Sequence, residues 1–123
     1  MASAGILVDA LHLNRSGGAP AEIAAYDPAL FPYFQICDAP ATSPATGELR
    51  TEARSGRLYP GEGGLPLREF IKAFAPGTAA EIEVPSARHA GIPFAERARL
   101  AAETSRRLFD TIDESEYGTD PRT

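Results

Sequence analysis

The chain has 123 residues, 43% of them hydrophobic and 24% charged, with a formal net charge of -5. This composition is typical of one globular domain with its own core. The acidic balance argues against nucleic acid and membrane surfaces as partners, because both attract basic faces, although it is compatible with a local basic pocket for an anionic sugar. The lone Cys37 cannot form an internal disulfide, and the apolar run Ile6 to Val8 is too short to cross a bilayer. Both features predict a cytoplasmic protein.

Short apolar runs alternate with helical patterns along the chain. Runs rich in β-branched or aromatic residues predict three strands, at 5–9, 33–38 and 81–84. Apolar residues at helical spacing predict three helices, at 19–25, 67–74 and 92–112, with Phe94 on the apolar stripe of the last. Asp27 is expected to cap a short helical turn. The remaining connections, 11–18 and the long segment 39–64, are expected to be irregular.

This alternating order favours an α/β fold with a parallel three-stranded sheet and right-handed crossovers. Three strands are too few to close a barrel, and a parallel sheet normally needs cover on both faces. We expect residues 1–112 to form the folded unit and the polar residues 113–123 to form a disordered tail.

Polar side chains lie at or just beyond the ends of all three predicted strands. They are Asp9, His12, Gln35, Asp38, Glu81 and Glu83. The carboxyl ends of parallel strands build the active site in (β/α)8 barrels. Carboxylate and amide oxygens suit Mg²⁺ or Mn²⁺, and an added imidazole shifts the preference toward Mn²⁺, Co²⁺ or Zn²⁺. The pattern therefore predicts a divalent-metal site.

Several of these segments resemble the xylose isomerase-like TIM-barrel superfamily, in particular its sugar phosphate isomerase/epimerase members. Val8 to Leu13 resembles the D-x-x-H segment, and Asn14 to Gly18 continues the likeness. The other matching segments are Phe34 to Asp38, the Pro-Gly-x-Gly loop within Arg57 to Gly63, and the last strand, Glu81 to Ser86. The resemblance covers about Gly5 to Ile112 and implies the C-terminal part of a TIM barrel, with about five of the eight βα units absent from this sequence.

The resemblance also implies roles for individual residues. Asp9, Gln35 and Glu83 match metal ligands of the family, and Glu83 also matches its catalytic acid/base. His12 and Arg57 match residues that contact the substrate. The family's earlier Glu ligand has no counterpart in this sequence, and Gln35 stands where many relatives have His. Such enzymes move a proton beside a carbonyl, through an enediolate, in a sugar or sugar phosphate.

The same residues also have structural interpretations. Asp9 can cap a helix or turn, and Gln35 can hydrogen-bond inside a barrel. Glu81 and Glu83 project to the same side of a strand, so either can be the ligand, and Glu83 is favoured.

Three further expectations concern residues outside this set. Cys37 is expected to be a small buried residue, and His89 is expected to be solvated. The glycines at 61, 63 and 64 are expected to form a flexible loop in preference to a phosphate cradle, because no P-loop lysine follows them.

Three functions stay open at this point. The first is a metal-dependent isomerase or epimerase, the second a dehydratase acting on inososes, and the third a non-catalytic fragment or split half. The apurinic-site endonucleases of the superfamily fit poorly, because the chain has two histidines and a negative net charge. The open edges of a three-stranded sheet predict a homo-oligomer or association with a complementary barrel half.

Overall fold

The computed structural model describes residues 4–112, which form an α/β unit around a three-stranded parallel sheet. The strands lie in the order β1-β2-β3 along the sheet: β1 (Val8–Asp9), β2 (Tyr33–Ile36) and β3 (Ala79–Ile82). The predicted fold class, with its parallel three-stranded sheet, is therefore confirmed. The expected tail, 113–123, lies outside the described residues.

Five α-helices connect and cover the strands. They are α1 (Ala10–Arg15), α2 (Pro20–Ala24), α3 (Leu49–Ser55), α4 (Leu67–Lys72) and α5 (Phe94–Asp110). Three 3₁₀ turns, at Pro28–Leu30, Thr46–Glu48 and Ala87–His89, complete the described elements. As expected, Asp27 caps the first of these turns by accepting a hydrogen bond from the Ala29 N–H at 2.9 Å. None of the helices in residues 4–112 is long and apolar enough to cross a membrane.

The sequence patterns missed two short helices, α1 and α3. In α1, the Asp9 side chain caps the first turn by accepting from the His12 N–H at 3.1 Å, so the helix begins directly at the strand end. In α3, no residue is fully buried, so the segment lacks the apolar stripe by which helices are recognised. The prediction of irregular structure for 11–18 and 39–64 was wrong at these positions.

The third strand lies two residues earlier than predicted. Its register is set by β2, because Tyr33 pairs with Ala79 and Gln35 pairs with Glu81. Glu83 therefore lies just beyond the strand, although its N–H still donates to the Ile36 carbonyl at 3.0 Å. The strand end, and with it the candidate site, is close to where the sequence indicated.

The core lies between the sheet and the helices on one of its faces. Phe34 of β2 is 1% exposed and stacks on Phe74, with ring centroids 4.3 Å apart, while Phe70 meets it edge-on at 5.5 Å. The opposite face of β2 carries Tyr33, which is 37% exposed, and Gln35. The sheet is thus covered on one face and open on the other.

Helix α5 packs less closely than predicted at its start. Phe94, expected on the apolar stripe, is 77% exposed. Farther along, Leu108 and Phe109 pack against the core and Ile112 belongs to it, so only the C-terminal half of the stripe is used. Glu103 and Arg107, four residues apart, form an ion pair at 4.0 Å on the outer side of the helix.

We predict that Phe34→Ala lowers the free energy of unfolding by about 3–5 kcal/mol, since it removes a fully buried ring and leaves a cavity. The matched control Phe94→Ala removes an exposed ring and should change it by less than about 0.5 kcal/mol. Urea unfolding followed by circular dichroism measures both. Equal losses for the two variants would contradict this description of the core.

Candidate functional site at the strand ends

Arg57 is the centre of the site at the carboxyl ends of the strands. It is 5% exposed, and its Nη1 donates to Asp9 Oδ2 at 2.7 Å. The same nitrogen contacts Cys37 Sγ at 3.7 Å and the Glu83 carbonyl oxygen at 3.4 Å. Its Nη2 lies 3.2 Å from His12 Nε2. One guanidinium therefore touches groups at the ends of all three strands.

The segment after α3 carries Arg57 into this position. Its Nε donates to the Ala53 carbonyl in α3 at 2.8 Å, and its backbone N–H donates to the Pro85 carbonyl at 3.2 Å. The next residue, Leu58, exchanges two backbone hydrogen bonds with Asp38, at 2.8 and 2.9 Å. Because the segment is bonded beyond the ends of both β2 and β3, it crosses the sheet at its carboxyl edge.

The Asp9–Arg57 ion pair is buried, with both side chains 6% exposed. Burial lowers the pKa of Arg57, but the hydrogen bond and charge of Asp9 more than offset this, so the pKa lies above its usual value. Asp9 meanwhile caps α1 with its other oxygen. Asp9 therefore both caps a helix and forms part of the buried polar site.

Cys37 is buried beside this pair. Burial, followed by the negative charge of Asp9, raises the pKa of its thiol to about 11. The thiol is therefore protonated at neutral pH and is a poor nucleophile. The expectation of a small buried residue agrees with this environment.

The predicted site residues, both metal ligands and substrate contacts, fall into two groups. Asp9, His12 and Arg57 are in direct contact, and Glu83 joins them through its backbone carbonyl. Gln35 is level with Asp9 in the sheet, but its amide nitrogen donates to Glu81 at 3.3 Å. Within residues 4–112, the Glu83 carboxylate makes no hydrogen bond or ion pair.

The donor atoms of these residues are of the kind that a hard divalent cation prefers, but too few of them lie close together. Asp9, Gln35 and Glu83 offer oxygens, which Mg²⁺ and Mn²⁺ prefer. No group of three or more His, Cys, Asp or Glu side chains close enough to hold a metal is found in the described part of the chain. Arg57 also already compensates the charge of Asp9. The donors among the described residues are therefore too few to form a metal site by themselves.

Several solved structures share this fold, and three of them illustrate the likeness. The IolI protein, described with a bound zinc atom, gives a TM-score of 0.74 at 16% identity, over 89% of this chain and 39% of that one. A xylose isomerase domain protein from Alicyclobacillus acidocaldarius subsp. acidocaldarius gives a TM-score of 0.68 at 26% identity. The match covers 86% of this chain and 37% of that one. A fusion of a xylose isomerase-like TIM barrel with 4-hydroxyphenylpyruvate dioxygenase gives a TM-score of 0.68 at 19% identity. The match covers 95% of this chain and 20% of that one.

The fold is that of a partial xylose isomerase-like TIM barrel. This confirms the resemblance read from the sequence, and the match is consistent with a C-terminal portion. The chain spans only 20–39% of the length of these structures. No protein-family model and no curated protein matches the sequence.

In this partial barrel, the role of Asp38 was missed. Its carboxylate is 2% exposed and accepts four backbone hydrogen bonds. These come from Ala39 at 2.9 Å, Gly61 at 2.9 Å, Gly63 at 3.0 Å and Leu65 at 3.1 Å. The sequence did contain a signal for this role, namely an Asp just after a predicted strand and a Pro-Gly-x-Gly loop later in the chain.

The glycine loop is therefore not the flexible segment that we expected. A Cβ at Gly63 would lie 2.3 Å from the Ala39 carbonyl oxygen, so only glycine lets the loop approach the strand end this closely. Gly61 has a φ of 95°, which favours glycine for a different reason. With Asp38 bonded to both, the loop is held against β2.

The expectation that His89 is solvated was wrong. Its ring lies 4.3 Å from that of Tyr59, and its Nδ1 lies 2.9 Å from Ser86 Oγ. Its Nε2 is 3.8 Å from a carboxylate oxygen of Glu62. Since Glu62 also accepts from the Tyr59 N–H at 2.7 Å, these residues fasten the outer side of the glycine loop.

We predict that Asp38→Ala lowers the free energy of unfolding by at least about 3 kcal/mol, because it leaves two buried and two part-buried N–H groups without their acceptor. The control is Asp27→Ala, which removes one exposed cap bond and should cost about 1 kcal/mol. Urea unfolding of both variants tests this. If the Asp38 variant loses no more than the control, the carboxylate does not anchor the loop.

Proposed function

We propose that this chain supplies part of the active site of a divalent-metal-dependent sugar or sugar-phosphate isomerase or epimerase. The observation that carries the proposal is the contact of Arg57 with Asp9, His12 and the Glu83 carbonyl at the strand ends. In (β/α)8 barrels this edge of the sheet bears the catalytic residues. The fold shared with the xylose isomerase domain protein, and the zinc atom described for IolI, support it.

In this proposal Asp9, Gln35 and Glu83 contribute oxygen ligands to one Mn²⁺, Mg²⁺, Co²⁺ or Zn²⁺ ion. Donors from the rest of a barrel complete the coordination, because the described residues alone hold too few. When bound, such an ion stabilises negative charge on a substrate carbonyl oxygen.

The side chains of this chain then divide the remaining work. Glu83, whose carboxylate has no partner within residues 4–112, takes a proton from the carbon beside the carbonyl and gives an enediolate. His12 and Arg57 hold sugar oxygens, and the buried Asp9 fixes the orientation of the guanidinium. A positioned donor of this kind loses little entropy on binding, since its rotamer is already set.

We predict that Asp9→Asn weakens Mn²⁺ binding at least tenfold, a loss of about 1.4 kcal/mol in binding free energy. Asn keeps the size and the helix-capping ability of Asp but removes its charge, which attracts a cation and also pairs with Arg57, so thermal unfolding checks that the variant stays folded. The control variant Asp110→Asn changes an exposed residue on α5 and should bind Mn²⁺ as the wild type does. Isothermal titration of chelator-treated protein measures Mn²⁺ binding by the wild type and both variants. If the wild type binds Mn²⁺ no more tightly than Asp9→Asn does, the proposed metal site is wrong.

A non-catalytic role is the second candidate. It is favoured by the incomplete donor set and by the small share of the matched structures that the chain covers. An assay with a panel of ketoses and inososes discriminates among the alternatives. Turnover of ketoses indicates an isomerase or epimerase, turnover of inososes the related dehydratase, and no turnover the non-catalytic role.

We also propose that the open sheet edges associate with further barrel strands, from a complementary half or a second copy. Beside β1, Ile6 and Leu7 are 51% and 42% exposed. On the β3 side of the sheet, Ile82 and Phe109 line a cleft of about 310 Å³ between the sheet and α5. Exposed parallel edges of this kind favour pairing with another chain.

We predict that sedimentation velocity reveals a species larger than the monomer, and that Leu7→Lys shifts it toward the monomer by placing a charge at the β1 edge. Phe94→Lys places the same charge on an exposed residue of α5 and should leave the distribution unchanged. A wild-type chain that stays monomeric and unfolds cooperatively would refute the association.

A further inference from the structure

A cleft rich in arginine lies between helices α1 and α3, beside the candidate site. Its volume is about 690 Å³. The residues that line it include five basic side chains, namely His12, Arg15, Arg50, Arg54 and Arg57. The chain as a whole carries a net charge of -5, so this local concentration of positive charge runs against its overall composition.

Two of these arginines are already compensated. Arg57 pairs with the buried Asp9 at 2.7 Å. Arg15 donates twice to the Glu52 carboxylate, at 2.8 and 3.0 Å. The charges of Arg57 and Arg15 are therefore already neutralised by carboxylates within the protein.

Arg50 and Arg54 are different. Both are exposed, and neither makes a hydrogen bond or ion pair with any part of residues 4–112. They are four residues apart on α3, so their side chains share one helix face, the one that lines the cleft. Two uncompensated guanidinium groups thus face the same space as His12 and Arg57.

This arrangement does not favour the helix itself. Like charges four residues apart destabilise a helix, and Arg50 in the first turn opposes the helix dipole, whereas Arg54 in the last turn is favourable to the dipole. Glu48, the acidic residue just before α3, forms no ion pair within the described part of the chain. An anion bound in the cleft would relieve both unfavourable effects.

We propose that Arg50 and Arg54 bind the phosphate group of the substrate, so that this site takes phosphorylated sugars in preference to neutral ones. The proposal rests on the proposed function, because it treats His12 and Arg57 as the residues that face the sugar. A phosphate dianion matches two guanidinium groups in charge, whereas a carboxylate matches one. Guanidinium groups also bind phosphate oxygens in pairs, which fixes the orientation of the ligand.

Isothermal titration with inorganic phosphate and with ribose 5-phosphate tests the proposal in the absence of metal. The wild type should bind one phosphate per chain, and R50Q/R54Q should bind it at least tenfold more weakly. The matched control R106Q/R107Q removes the same charge from exposed positions on α5 and should bind as the wild type does. Thermal unfolding of all three verifies that the substitutions leave the fold intact.

Two results would overturn the proposal. One is equal weakening in both double variants, which would indicate a nonspecific charge effect. The other is binding of ribose as tight as that of ribose 5-phosphate. Because no metal is present, these outcomes are independent of the Mn²⁺ titration of Asp9→Asn. Retained phosphate binding with failed metal binding would leave the anion site standing and refute only the metal-dependent function.

Discussion

The buried ion pair between Asp9 and Arg57 is the interaction on which the candidate site depends. Its two side chains come from segments 48 residues apart, one at the end of β1 and the other just after α3. Removing one partner of a buried pair leaves an uncompensated charge, which costs about 3–5 kcal/mol. The pair therefore fixes where the segment after α3 crosses the strand ends, and it fixes the surroundings of His12, Cys37 and the Glu83 carbonyl as well.

The sequence predicted the features that depend on regular patterns. Strand β2 and helices α2 and α4 follow from apolar periodicity and from the positions of proline and glycine, and the parallel sheet follows from their alternation. The strand-end residues Asp9 and Gln35 were located for the same reason, since they follow or interrupt apolar runs. Family resemblance then gave them roles that periodicity alone does not supply.

What the sequence did not reveal depends on contacts between distant segments. Helix α3 is held by the ion pair of Glu52 with Arg15, and not by an apolar stripe. The placement of Glu83 beyond β3 follows from the register with β2. Asp38 has its role only because the chain returns to it about 23 residues later. None of these pairings leaves a periodic signal in the local sequence.

The bonds from Asp38 to the glycine loop have a consequence for recognition. A mobile loop must be ordered when a ligand binds, and that ordering reduces affinity through lost conformational entropy. Here the loop is already fixed by three of its backbone N–H groups, which donate to one carboxylate, and by the close approach of Gly63 to Ala39. The loop therefore loses its conformational entropy when the protein folds and not when a ligand binds. A ligand that binds at this edge of the sheet meets a preformed surface.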